Sequence, residues 1–336
     1  MRPPLPRLLR LLLVVLPWLV TAAPPALADN PFGLMLWQAD GGSVELSAAR
    51  AAALGIAWFR PPAVFIDRWQ PAAPCPACAV LARYPFQLAL TVRSDGRRAV
   101  FPPHDLDAYG KTLGSILDAW KPALVVVENE ENLLFPSPDD YARELAAACA
   151  QAHDRGVLCT NGGLSGDAAA GLAWLTLLQS GRSDIACDFA RRALYTEDEP
   201  EAGAALCRYR TVAEVPPERR DALLKNADRL IAVYRAAPID AVNFHWYGHD
   251  AGALATTAAI LGQLTGKPVL SNEIGQRPWD VTPARVRPLM RAAFAAQLKA
   301  AIWYSIDSPF SRSLFEESGA LRPSGLEFAK QMSGRK

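Results

Sequence analysis

The chain has 336 residues, of which 51% are hydrophobic and 21% charged, with a formal net charge of +1. That make-up excludes disordered and collagen-like chains, and the balanced charge excludes the basic excess by which nucleic-acid binders neutralise phosphates. The length exceeds an ordinary sandwich and suits one closed α/β barrel of roughly 250 residues plus insertions.

Reading from the N-terminus, Arg2, Arg7 and Arg10 precede or open an apolar run from Leu11 to Val20, and Ala26-Leu27-Ala28 stands before Asp29. Basic start, short apolar run and small-x-small site together predict a secretory signal peptide over 1–28. As a membrane anchor the run is short of the ~20 residues a span needs, and Pro17 interrupts it. Removing the three arginines leaves 32 basic and 34 acidic residues in 29–336, a net charge of −2. No later stretch reads as a span, so the mature chain is expected to be secreted or periplasmic, without stable membrane insertion.

Strands are predicted near Gly33–Trp37, Ala57–Arg60, Gln87–Val92, Ala123–Glu128, Val157–Asn161, Ala241–His245, Pro268–Asn272 and Ala301–Ser305, where apolar and β-branched residues run together. Between them, helical spacing covers Ser47–Ala53, Leu106–Trp120, Asp139–Asp154, Pro217–Ala236, Ala251–Leu264 and Pro283–Lys299. Eight strands alternating with helices predict a single α/β (β/α)₈ TIM barrel over 29–336. The fifth and sixth strands start 84 residues apart, about 50 more than their neighbours, so Ser165–Pro216 reads as an insertion over the barrel face.

All six cysteines lie in the mature part, an even count suited to an oxidising compartment. Proximity suggests Cys75–Cys78, Cys149–Cys159 and Cys187–Cys207 among the 15 pairings open to six cysteines. Cys75-Pro76-Ala77-Cys78 has the spacing of a redox motif, but that chemistry requires a helix following a strand. The prolines around it favour a loop staple. No second Cys or His pair stands at zinc spacing.

In such a barrel, reactive side chains project from the C-terminal strand ends. The fourth strand ends in Glu128-Asn129-Glu130-Glu131-Asn132 and the seventh in Ser271-Asn272-Glu273-Ile274-Gly275. Arg60 ends the second, His245-Trp246-Tyr247 the sixth, and Trp303 lies in the eighth. Two carboxylates from strands three places apart suit an acid/base and a nucleophile when their surroundings separate their pKa values. Taken singly, each glutamate also reads as a helix-terminus or ion-paired carboxylate.

Together these residues resemble glycoside hydrolase clan A, the retaining barrel enzymes with glutamates after strands four and seven. The resemblance implies Glu130 as acid/base, Asn129 as a hydrogen-bonding partner of the substrate 2-hydroxyl, and Glu273 as nucleophile. It further implies Tyr247 as the tyrosine that orients Glu273, His245 as the strand-six histidine, Arg60 as the strand-two arginine and Trp303 as the sugar platform. The proline that often follows Asn-Glu in family 5 and family 39 relatives is Glu131 here, which leaves the family open. Trp37, Asp40, Arg93, His104, Asn161, His249 and Asp307 fall at or beyond strand ends as further subsite candidates.

The expected activity is hydrolysis of a β-linked oligo- or polysaccharide or glycoside, with no cofactor and no metal, by a monomer. Two alternatives stand beside it. One is a catalytically silent barrel that only binds glycan; the other is a metal-dependent hydrolase using His245, His249 and carboxylates.

Overall fold

A computed structural model describes residues 30–37, 43–94, 102–135, 137–195, 199, 201–279, 281–307 and 312–334. The predicted leader, 1–28, and Asp40 lie outside them. Eight strands carry the barrel: β1 (Phe32–Met35), β2 (Trp58–Arg60), β3 (Gln87–Arg93), β4 (Leu124–Val127), β5 (Leu158–Asn161), β6 (Val242–Trp246), β7 (Val269–Ile274) and β8 (Ala301–Trp303). They pair in parallel in the order β5-β4-β3-β2-β1-β8-β7-β6, and a two-residue strand, Val64–Phe65, lies alongside β3. Parallel bridges Thr160↔Ala241 and Leu164↔Phe244 join β5 to β6 and close the ring. The predicted (β/α)₈ TIM barrel is therefore the fold.

Alternation along the strands builds two apolar layers. Met35, Trp58, Ala89, Leu124, Val126, Leu158, Leu270 and Ile302 fill the barrel interior. Phe59, Leu90, Val125, Val127, Phe244 and Trp303 face the surrounding helices instead. Each such side chain, fully buried, contributes about 1.5–3 kcal/mol. Three helices begin on sequence-encoded caps: Ser43 accepts from the Leu46 amide, Asp105 from Ala108 and Asp250 from Ala253.

Two side-chain amides complete the ladder where it thins. At the β5–β6 seam Asn161 Oδ1 accepts from the Asn243 amide at 2.6 Å, and its Nδ2 donates to the Asn243 carbonyl at 3.0 Å. Asn243 repeats the device one strand on, where the β6–β7 register shifts, with its Oδ1 accepting from the Asn272 amide at 3.0 Å. Buried peptide groups cut off from a neighbouring strand thus keep partners.

Between β5 and β6 the chain makes helices Gly166–Gln179 and Ser183–Ala193, two short 3₁₀ turns and helix Pro217–Leu224, before helix Ala227–Ala236 leads into β6. The continuous helix predicted over Pro217–Ala236 is broken, because Lys225 and Asn226 both take left-handed backbone, φ 46° and 70°. Asparagine tolerates that region, but lysine gives no warning of it.

The three cysteine pairs expected from proximity are the three joined. Cys149–Cys159 ties helix Pro138–His153 to β5, and Cys187–Cys207 ties Ser183–Ala193 to the turn Ala204–Arg208. Cys75–Cys78 closes the start of the short helix Pro76–Leu81, which follows a 3₁₀ turn and loop rather than a strand. No helix among the described residues is long and apolar enough to cross a membrane.

Candidate active site

The β7 sequence delivers Glu273 to the C-terminal mouth, where it is 8% exposed. Arg60, at the end of β2, sets Nη1 2.5 Å from Glu273 Oε1, and the Tyr247 hydroxyl donates to Oε2. Burial alone would raise this carboxyl's pKa, but the charges of His245 and Arg60 and the bonds from Tyr247 and Arg60 outweigh it and hold it at about 2. Tyr247 keeps its proton, since burial and the Glu273 charge push its own pKa well up. Arg60 is itself fixed by Thr91 Oγ1 at 2.9 Å and the Asn272 carbonyl at 3.1 Å, and it reaches Asn129 Oδ1 at 3.4 Å.

Glu130 leaves β4 through a turn in which it and Glu128 both have left-handed backbone, φ 48° and 69°. Such non-glycine residues are uncommon and cluster at functional sites. The turn is packed from behind by Gly162, where a Cβ would lie 2.7 Å from the Glu128 carbonyl carbon and 2.8 Å from the Asn129 nitrogen. Glu130 side-chain exposure is 29%, and its Oε1 lies 3.0 Å from His245 Nδ1.

His245 links the two glutamates. Its ring is fully buried, and Gly163 (φ 101°) lets the chain pass where a Cβ would meet Nε2 at 2.5 Å. The amide chain fixes its tautomer. Asn243 Oδ1 takes the backbone N–H of Asn272, so Asn243 Nδ2 must donate to Asn272 Oδ1, 2.7 Å away. That oxygen, 3.1 Å from His245 Nε2, can only accept, so Nε2 carries hydrogen and Nδ1 faces Glu130. Burial opposes a charge on His245, but the Glu273 carboxylate and Glu130 outweigh it and raise its pKa above the ordinary value. Because Nδ1 is 3.0 Å from Glu130 Oε1 and 3.6 Å from Glu273 Oε2, those oxygens lie no farther apart than the sum, about 6.6 Å.

The neighbouring acids face elsewhere. Glu131 is fully buried against Tyr234 and Asn161. Glu128 accepts from the Ser94 amide at 2.6 Å and lies against Glu144 of helix Pro138–His153, and burial lifts its pKa to about 7. A carboxyl whose folded pKa exceeds its unfolded value loses stability as pH rises from the unfolded pKa, about 4.3, to the folded one. Glu128→Gln keeps an acceptor for Ser94 and is expected to remove up to ~3 kcal/mol of destabilisation between pH 5 and 8. Urea unfolding at both pH values checks this; parallel losses in variant and wild type would contradict it.

Trp303 is a correction. It is 1% exposed and packs edge-on against Phe328 of helix Pro323–Ser333, ring centroids 5.8 Å apart, on the helix side of β8. The pleat sends alternate residues to opposite faces, so Ile302 and Tyr304 point inward and Trp303 outward. Tyr304 stands edge-on to Tyr247 at 5.8 Å, with Arg312 4.0 Å above its ring. Trp37, 39% exposed, bonds the Tyr304 side chain and is held by its own amide on Asp307 Oδ1 at 3.0 Å.

Of the other candidates, Asn161 serves the seam, Arg93 lies over the Phe65 ring, and His104 lines a separate cavity of about 350 Å³. His249 Nδ1 meets the Tyr195 hydroxyl. For the metal-site alternative, no group of three or more His, Cys, Asp or Glu side chains among the described residues is placed to hold a metal ion. Sequence reading missed Tyr304, Arg312, Asn243 and Asn272; only Asn272, directly before Glu273, carried a positional signal.

No protein-family model matches the chain, and no curated protein sequence does. Solved structures do match in fold. A glucosidase from Croceicoccus marinus aligns with 91% of this chain and 66% of its own, at 12% identity and TM-score 0.58. A family 39 glycoside hydrolase from Bacteroides cellulosilyticus WH2 aligns over 91% and 64%, at 11% identity and TM-score 0.59. The chain thus spans just under two thirds of the length of these two. A hyperthermophilic β-glucosidase from Pyrococcus furiosus aligns over 92% of this chain and 96% of its own, at 8% identity and TM-score 0.59. This chain shares the barrel on which those glycosidases are built.

Proposed function

We propose that the chain is a retaining glycoside hydrolase, acting outside the cytoplasm on a β-linked glycan or glycoside by double displacement. The observation that carries this is the placing of Glu130 and Glu273 about one imidazole, with facing oxygens within about 6.6 Å. A retaining pair stands ~5–5.5 Å apart and an inverting pair ~6.5–9.5 Å; the bound admits a retaining pair and reaches only the lower edge of the inverting range.

The surroundings divide the roles. Glu273, ionised between Arg60 and Tyr247, attacks the anomeric carbon and forms a glycosyl ester as the bond to the leaving oxygen breaks. Glu130, free of any guanidinium contact among the described residues, gives that oxygen its proton. Since Nε2 is already protonated, His245 Nδ1 and Glu130 share one mobile proton, which keeps it at the cleft between turnovers. Water then attacks the ester, Glu130 takes its proton, and Glu273 leaves as carboxylate. Asn129, oriented by Arg60, presents an amide to a sugar hydroxyl, and the exposed Trp37 indole offers a flat apolar face.

The three disulfides support an oxidising compartment, in keeping with the leader read from the sequence. The test is the anomeric form of the first sugar released, for which the β form is expected.

A further inference from the structure

Beside Glu130 the cleft opens into a recess of about 180 Å³. Ser165, Gly166 and Asp167 wall it at the start of the excursion after β5, Lys225 near its end, and Arg277 beyond β7. Glu130 and Tyr247 line it but Glu273 does not. On the glycosidase reading, it therefore lies on the proton donor's side, where the leaving group departs.

The recess is lined by two carboxylates, Glu130 and Asp167, and two cations, Lys225 and Arg277, but they are not paired two by two. Arg277, with 12% of its side chain exposed, donates from Nη2 to Asp167 Oδ1 at 2.7 Å. Its guanidinium lies 5.0 Å from the Tyr195 ring centre and 5.3 Å from that of Trp279, so it is held in place and its charge is met. Glu130 Oε1 is met by His245 Nδ1, 3.0 Å away. Lys225 is left over: its ammonium makes no ion pair or hydrogen bond among the described residues. The left-handed break at Lys225 and Asn226 sets it at the recess wall.

We infer that the recess is a leaving-group subsite selective for an anion, and that the natural substrate releases a sugar or aglycone bearing a carboxylate, paired by Lys225. The inference rests on the glycosidase reading and names its substrate class. An ion pair at an exposed lysine is worth up to ~1 kcal/mol, about fivefold in kcat/KM.

The test uses two aryl β-glycosides of whichever glycone proves active, one with a 4-carboxyphenyl and one with a 4-carboxamidophenyl leaving group. The carboxamide is the better leaving group, so intrinsic reactivity opposes the expected result. Wild type is expected to favour the carboxylate about fivefold at low salt, less at 1 M salt. The ratio of the two kcat/KM values is expected to fall to about one in Lys225→Met and to persist in Lys225→Arg, and as a ratio it is insensitive to partial misfolding. Equal rates in wild type, or a preference that survives Lys225→Met, would overturn the subsite. Failure of every β-glycoside to react would instead overturn the glycosidase reading itself.

Discussion

Glu273→Ala is expected to abolish turnover on every leaving group, a loss of roughly 10⁴-fold or more in kcat, because no glycosyl ester can form without the carboxylate. The size of the effect follows from how completely the site is built around this group. Arg60, Tyr247 and His245 all aim at it, and none offers a replacement nucleophile. Alanine also strands the Arg60 charge, 3% exposed, and a buried unpaired charge costs about 3–5 kcal/mol. Glu273→Gln therefore belongs beside it, since an amide retains an oxygen for Arg60. A folded Glu273→Gln protein, checked by circular dichroism, should be equally inactive; wild-type rates in it would remove Glu273 from the chemistry.

Glu130→Ala is expected to depend on the leaving group. Proton donation is worth typically 10²–10⁴-fold, and that loss should appear in full with an alkoxide leaving group. It should nearly vanish in the first step for a dinitrophenolate, which departs without a proton. The second step then becomes slow, because water has lost its base. Azide needs no deprotonation, so it should restore turnover and yield a β-glycosyl azide. A uniform loss across leaving groups, untouched by azide, would assign Glu130 a structural role.

The barrel was legible because its strands are short apolar runs, such as Leu124-Val125-Val126-Val127, and its helices repeat apolar residues at three- and four-residue spacing. Glu130 and Glu273 were legible as carboxylates at strand ends, and the cysteine pairs by proximity. The face of β8 was not. In Ile302-Trp303-Tyr304 every residue is apolar enough for either side, and a one-residue shift exchanges the indole for the phenol. The break at Lys225 and Asn226 carries neither glycine nor proline. The Asn161, Asn243 and Asn272 relay joins residues 82 and 29 positions apart, which meet only once the ring is closed. The tautomer of His245, and with it the proton available to Glu130, depends on that closure.

The most direct measurement is the configuration of the product at the moment of its release. Proton NMR of the anomeric signals, on an active β-glycoside and with enough enzyme to finish before mutarotation, reports it. Double displacement at Glu273 and Glu130 requires the β-hemiacetal to appear first and the α form to grow in later at the spontaneous rate. An α-hemiacetal appearing first would mean a single displacement by water, and would contradict the assignment of Glu273 as nucleophile.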